Sequence, residues 1–378
     1  MSRTLSLIVC IALGAGYLIV GLWPFELQVK NNLGWQPGED GTYFGWLSNV
    51  YTDGQIHLGR NAYPSAQVPE VSIELYLQSE HKNTGDIGTI LSFYEDQLPP
   101  NLVIAQWRSE LLLRTPVQTA SGRRAHHEIS VSADLRENAR RFIVVTSGAE
   151  GTSFYVDGML AKSYPRHTLR QDTLRGRLIV GDAPEGSSHW AGKLIGLAIF
   201  SRSLGAPEVA RHYRLWARKR LEKFPAEPGL AALYDFGERA GRTIPDKSSG
   251  GNPLLTPEYY RTFRKTVLIP PWRDPHPYFS DIGDVGINVL GFVPFGFFYF
   301  LYRSLTRPGR RFRNFVLTAL VSGIISVAIE LIQVFMPIRS SSLTDLLCNI
   351  GGGLAGALLA LMARSFFRPR IPRRDWSY

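Results

Sequence analysis

Six residues in the last quarter of the chain have the types and spacing for chemistry in an apolar setting. Glu330 and Gln333 stand three apart, so on a helix they share one face. Asp345 and Asn349 stand four apart and lead into Gly352 and Gly356, a stripe that runs from polar to small. Arg339 lies between the two pairs, just past Pro337, and Asn288 lies upstream of both. A carboxylate inside a membrane helix costs about 2.5–3.5 kcal/mol on insertion scales and therefore faces a bundle interior or a wet cavity. Two uses fit this set. One is a structural network, with Glu330 paired to Arg339, amides bridging helices and glycines closing them together. The other is a polar pocket for a lipid headgroup or a lipid-linked sugar, with Glu330, Asp345 and Arg339 as its working groups.

The elements that must position these residues are four apolar runs. They cover about 5–23, 285–302, 314–336 and 343–362, and each is long enough at roughly 1.5 Å per residue to cross a hydrocarbon core of about 30 Å. Backbone groups in lipid must be paired within the segment, so helix is the form these runs take. The first run reads as an uncleaved anchor, because Trp23-Pro24-Phe25 follows it instead of a small-residue cleavage site. Eleven arginines sit in three short segments: Arg3; Arg303, Arg307, Arg310, Arg311 and Arg313; and Arg364, Arg368, Arg370, Arg373 and Arg374. Placing all three segments in the cytoplasm satisfies the positive-inside rule with four crossings, and puts 24–280 and the turn at 337–342 outside. These segments carry the whole excess of 42 bases over 32 acids, apart from one acid, Asp375. The rest of the chain is neutral, and nucleic-acid binding is excluded as a reading of the high pI. Cys10 and Cys348 both lie in apolar runs, which excludes a disulfide framework and a cysteine zinc site.

Between the first and second runs the chain changes character. Short β-branched and aromatic segments, among them VSIELYL (71–77), NLVIAQW, RFIVVTSG, TSFYVDG and KLIGLAIF, recur between Gly, Asp and Asn turns. This pattern predicts an antiparallel sandwich, with one amphipathic helix over about 206–223. Paired carboxylates for glycoside hydrolysis would need a second acid two residues from Glu74, and neither 72 nor 76 supplies one. Catalysis in the sandwich is accordingly not expected. His126-His127 reads as a solvated strand edge, Asp157 as a turn residue, and Trp35, Trp46, Trp107 and Trp190 as core.

The sequence TSFYVDGMLAKSYP, followed by LIVGDAPEGSSHWAGKLIGLAIFSRSLGAPEVARHY, resembles the second half of a laminin-G-like, concanavalin-A-like jelly roll over about 43–216. The resemblance implies binding of a glycan or a protein, in some members through calcium, while others are glycosidases. One departure is that Leu230–Phe236 is similar to the opening strand of such domains yet comes last: it is either a late closing strand or a sign of permuted order. The C-terminal part is similar to the VanZ-like family. It carries Asn288-x-x-x-Phe292-x-Pro294-x-Gly296, then Glu330-x-x-Gln333, the loop Arg339, and Asp345-x-x-x-Asn349-x-x-Gly352. That family takes its name from a protein associated with glycopeptide (teicoplanin) resistance, which points to the bacterial envelope and not to a reaction. Many relatives have only a short loop after helix one, so the sandwich here is an insertion.

The expected architecture is therefore multi-domain: a four-helix α-helical transmembrane bundle plus an extracytoplasmic all-β jelly-roll sandwich. The parts are a membrane anchor at 1–25, the sandwich at 31–256, a juxtamembrane linker at 257–280, a VanZ-like membrane domain at 281–367 and a basic cytoplasmic tail at 368–378. The expected setting is a bacterial inner membrane with both termini cytoplasmic. There the sandwich would bind a glycan or an envelope protein, in exopolysaccharide or cell-wall processes. The rival expectation is a membrane enzyme or transporter acting on a lipid or lipid-linked glycan through Asn288, Glu330, Gln333, Arg339, Asp345 and Asn349. No cofactor is expected, calcium in the sandwich being the one ion that the resemblance implies.

Overall fold

The computed structural model describes residues 2–35, 39–56, 70–80, 86–95, 99–118, 124–136, 138–169, 171–237, 241–271 and 281–366. The basic tail at 368–378 and residues 272–280 of the expected linker lie outside them. The chain forms two compact units: Gln28–Arg264, and Met1–Leu27 together with Lys265–Tyr378.

The first unit is a pair of antiparallel sheets, with strands numbered in chain order. One sheet contains β1 (Leu33–Gly34), β2 (Thr42–Phe44), β4 (Val71–Ser79), β9 (Arg140–Gly148), β10 (Gly151–Val156), β11 (Met159–Tyr164), β13 (Gly192–Phe200) and β14 (Leu230–Tyr234). Its order is β1-β2-β13-β4-β9-β10-β11, with β14 also paired to β13. The other contains β3 (Val50–Gln55), β5 (Ile87–Tyr94), β6 (Leu102–Trp107), β7 (Glu110–Gln118), β8 (Arg124–Ser132), β12 (Arg177–Val180), β15 (Thr243–Ile244) and β16 (Leu254–Leu255). Its order is β15-β16-β3-β12-β5-β6-β7-β8. The late segment is a closing strand: β14 pairs with β13, Leu197 opposite Tyr234 and Phe200 opposite Leu230. Where the sequence suggests a linker from 257, the chain still belongs to the sandwich. Lys30 bridges to Tyr259, and the buried Tyr260 donates its hydroxyl to Asp182.

Alternation explains the core. In β4, Val71, Ile73, Leu75 and Leu77 point between the sheets and meet Leu91, Phe93, Ile104 and Leu113. The opposite face would normally be solvated, yet Ser72 and Glu74 are fully buried there. The cause is helix α2 (Ala206–Ala217). With Phe224 it covers that face through Val209 and Trp216, packing on Phe142, Val144 and Phe200. Glu208 starts α2 well, accepting the Gly205 N–H at 3.0 Å and two guanidinium bonds from Arg202 at 3.0 and 2.8 Å. Between β10 and β11 the two-residue turn Asp157-Gly158 has φ of 51° and 85°, the left-handed pair that a tight hairpin requires.

The second unit contains four helices long and apolar enough to cross a membrane. They are α1 (Arg3–Gly21), α3 (Asp281–Thr306), α4 (Arg311–Gln333) and α5 (Leu343–Phe366). Glycines bring α3 and α5 into backbone contact. A Cβ at Gly296 would lie 1.9 Å from the Gly353 carbonyl oxygen, and one at Gly356 would lie 2.0 Å from that of Val293. Tyr17 joins α1 to α3 by stacking on Phe292 at 4.7 Å and donating to the Gly291 carbonyl at 2.5 Å, in the turn where Pro294 interrupts the helical ladder.

Candidate functional site

At one end of the bundle the C-termini of α1 and α4 meet the N-terminus of α5. Glu330, 2% exposed, accepts the backbone N–H of Ser342 at 2.7 Å. Ser342 is the residue before α5, and its own hydroxyl accepts the Asp345 N–H at 3.3 Å. In a capping box the third helical residue would reach back to that N–H. Here the third residue is Asp345, and a glutamate from another helix takes the place. Gln333 donates to the Gly21 carbonyl at 2.8 Å, and the Arg339 guanidinium donates to the carbonyl of Trp23. The 337–343 turn is held in turn by Lys265, which donates to the carbonyls of Pro337 at 3.0 Å and Arg339 at 2.9 Å. Ile269 completes the clasp with bonds to Ser341 and Leu343.

The structure thus brings Glu330, Gln333, Arg339 and Asp345 to one end of the bundle, but not as an ion pair. No salt bridge joins Glu330 to Arg339: each satisfies a different helix terminus. Asn349 sits deeper and donates to Ser326 at 2.9 Å, while its Oδ1 is buried without a partner. Asn288 is half-buried on α3, and no described hydrogen bond ties it to the others. The sequence reading missed the remainder of the polar face. Asn314, Thr318, Ser322 and Ser326 are all buried on α4 and lead by steps of four to Glu330. That period was legible, but serines and threonines inside an apolar run do not stand out unless the exposed face is known to meet lipid.

In the sandwich Glu74 has a partner that the sequence could not show. Its carboxylate meets His212 Nδ1 at 2.6 Å and accepts the Trp216 indole N–H at 3.0 Å, both from α2 and all fully or nearly fully buried. This group supports the helix and has no access to a substrate. Asp182, also fully buried, is a second hub. It accepts the Ala183 and Ser188 N–H groups at 2.7 and 3.0 Å, lies 2.5 Å from His189 Nδ1, and receives the Tyr260 hydroxyl. Burial, with Asp182 alongside, pushes the Tyr260 phenol well above its ordinary range. The hub fixes the loop from β12 to β13, and His189 from that loop meets Trp46 edge to face at 5.9 Å.

Trp46 corrects an expectation. Trp190 is buried in the core as expected, but Trp46 is 61% exposed, because it sits in the loop between β2 and β3, past the end of the paired strands. His126 and His127 are exposed on β8, the outermost strand of its sheet. Asp157 accepts the Phe142 N–H at 3.0 Å and lies 3.8 Å from Arg141, so its carboxylate braces the hairpin. Among the described residues no group of three or more His, Cys, Asp or Glu could hold a metal.

Comparison with known proteins separates the same two parts, although the VanZ-like match begins inside the sandwich unit and takes in β15 and β16. Residues 239–364 match the VanZ/LLP1 family, and residues 47–210 match the concanavalin A-like lectin/glucanases superfamily. The chain thus carries a VanZ-like segment, with a laminin-G-like, concanavalin-A-like sandwich N-terminal to it. Similar solved structures include a protein of Bacteroides ovatus, at 13% identity and TM-score 0.37, covering 59% of this chain and 60% of that one. The heptameric SAP-like pentraxin of Limulus polyphemus matches at 13% identity and TM-score 0.32, over 48% of this chain and 79% of that one. The receptor binding domain of botulinum neurotoxin D matches at 15% identity and TM-score 0.35, over 49% and 46%. The chain thus spans less than two thirds of the first and third of these. No curated protein matches the sequence.

Proposed function

We propose that this chain is a bacterial envelope protein whose sandwich is a glycan-binding module held outside the cytoplasmic membrane by the VanZ-like bundle. The observation that carries the reading is Trp46, a large exposed aromatic that meets edge to face His189, whose own loop Asp182 and Tyr260 immobilise. A rigid ring can stack on the apolar face of a sugar and loses little conformational entropy in doing so. The arginine segments support the orientation. The polar residues at the end of the bundle act, in this reading, as a clasp: Glu330, Gln333 and Arg339 each satisfy backbone groups that helix termini leave open. The direct test is a glycan-array screen of the full chain in detergent. Trp46→Ala should weaken binding to the retained glycan by about tenfold or more, roughly 1.4 kcal/mol. Unchanged binding would remove Trp46 from the site, and retention of an envelope protein with no glycan would replace the reading. A reporter active only outside the cytoplasm should work at Gly186 and fail at Arg310; the reverse would overturn the orientation.

A further inference from the structure

The two sheets finish side by side at β8 and β11, the last strands of their respective orders. Tyr164 ties these edges together, donating its hydroxyl to the Ser130 carbonyl at 2.6 Å and accepting the Ser130 N–H at 3.2 Å. Beside this tie lies an open groove of roughly 330 Å³, lined by His127, Ser163, Tyr164, Pro165, Arg166 and His167. On β8, Ile129 and Val131 point into the core. By alternation His127 shares their side and lies where the core gives way to the groove. Its ring stacks on His167 at 4.5 Å with only 10° between the planes. His167 is 9% exposed, and its Nε2 has no hydrogen-bond partner.

The charges around this groove are one-sided. None of its six lining residues is a carboxylate. Arg166 is exposed and in no described ion pair. Lys162 lies over the Tyr164 ring at 4.9 Å. On the outward side of β8, Glu128 is engaged by Arg114 from β7 at 2.5 Å. His126, beside it, is held below the ordinary imidazole range by burial and then by Arg114. Burial and the neighbouring His127 likewise lower His167. A stacked imidazole pair resists double protonation unless an anion neutralises it, so an anion here would be bound together with protons.

We propose that the groove between β8 and β11 binds the acidic group of a saccharide, a carboxylate, sulfate or phosphate borne on a sugar, more tightly as pH falls below neutral. This rests on the glycan-binding reading above and adds a second subsite to it, since β2 and β3, which flank Trp46, lie toward the opposite edges of the two sheets. Arg166 supplies the permanent charge, the histidines supply the pH-dependent one, and Pro165 with the Tyr164 ring forms an apolar wall.

The test is isothermal titration of the full chain in phosphatidylcholine nanodiscs with tetragalacturonate, its methyl ester and inorganic phosphate, at pH 5.5 and 7.5. Tetragalacturonate should bind about tenfold or more tightly at the lower pH, the ratio one imidazole proton can provide. His127→Gln should flatten the pH dependence, Arg166→Gln should weaken binding about tenfold at both pH values, and Trp46→Ala should leave the pH ratio intact. A pH-independent affinity, or a His127→Gln variant with the full ratio, would overturn the proposal. Binding of phosphate without any saccharide would also overturn it, by assigning the groove to a free anion. If the methyl ester binds as well as the acid and only Trp46→Ala weakens both, the groove is excluded while the glycan reading stands. Failure of both saccharides would overturn the groove proposal, while the glycan reading would stand or fall on the array screen.

Discussion

The sandwich and the bundle are built to opposite rules. In β4 the residues facing the sheet-to-sheet core are Val71, Ile73, Leu75 and Leu77. In α4 the buried residues are Asn314, Thr318, Ser322, Ser326, Ile329, Glu330 and Gln333, all polar but Ile329, while Phe312, Leu320 and Ile324 are more than half exposed. Water drives the first arrangement by expelling apolar area. In lipid that drive between helices is absent, and close contact with satisfied polar groups takes its place. Burial alone therefore does not rank importance in this protein; the surrounding solvent decides which buried residues are the unusual ones. By that standard Glu74 and Asp182 are exceptions in the sandwich, and the glycines and Glu330 are the working parts of the bundle.

Removing one side of the Glu74 cluster should give the largest effect. Glu74→Leu leaves His212 and Trp216 buried without their acceptor and should lower sandwich stability by about 3–5 kcal/mol in denaturant titration, with partial recovery on adding His212→Leu. A loss under about 1 kcal/mol would make this cluster ordinary core. In the bundle, Gly356→Ala forces a methyl group against the Val293 carbonyl and should cost about 1–3 kcal/mol. Gly286→Ala, with open space around it, is the control and should shift melting in detergent little. Equal melting of the two variants would show that α3 and α5 do not depend on backbone contact.

Glu330→Gln weakens the charge-assisted bond to Ser342 and should cost about 1 kcal/mol. Because Arg339 bonds to Trp23 instead, the double variant with Arg339→Gln should be additive within about 0.5 kcal/mol. Strong coupling would restore the ion pair that the sequence suggested. The smallest effect concerns pH. The Arg202 hydrogen bonds, aided by the Gly205 N–H, hold Glu208 down at about 2 against an ordinary 4.5. A depressed folded pKa means that this contribution is complete above about pH 4.5 and lost as pH falls toward 2. Melting of the sandwich should decline over that window, and Glu208→Gln should remove this part of the decline while the bundle's melting stays unaffected.

Much of this was legible in one dimension. Four helices long and apolar enough to cross a membrane followed from run length and backbone polarity, the hairpin at Asp157-Gly158 from its turn chemistry, and the VanZ-like and concanavalin-A-like segments from resemblance to those families. These are local properties: they depend on residues within one helix, one strand pair or one turn, and the sequence holds those neighbours side by side. What the tertiary structure alone decided are meetings between distant segments. Glu74 finds His212 across 138 positions because α2 folds over a strand face that alternation would leave wet. Glu330 turns to Ser342 and Arg339 to Trp23, since helix termini offer unpaired backbone groups at closer range than the two side chains offer each other. His127 meets His167 only because two sheets end at the same edge. Residue types determine which bonds a group can make, and only the packed chain determines which partner is within three ångströms.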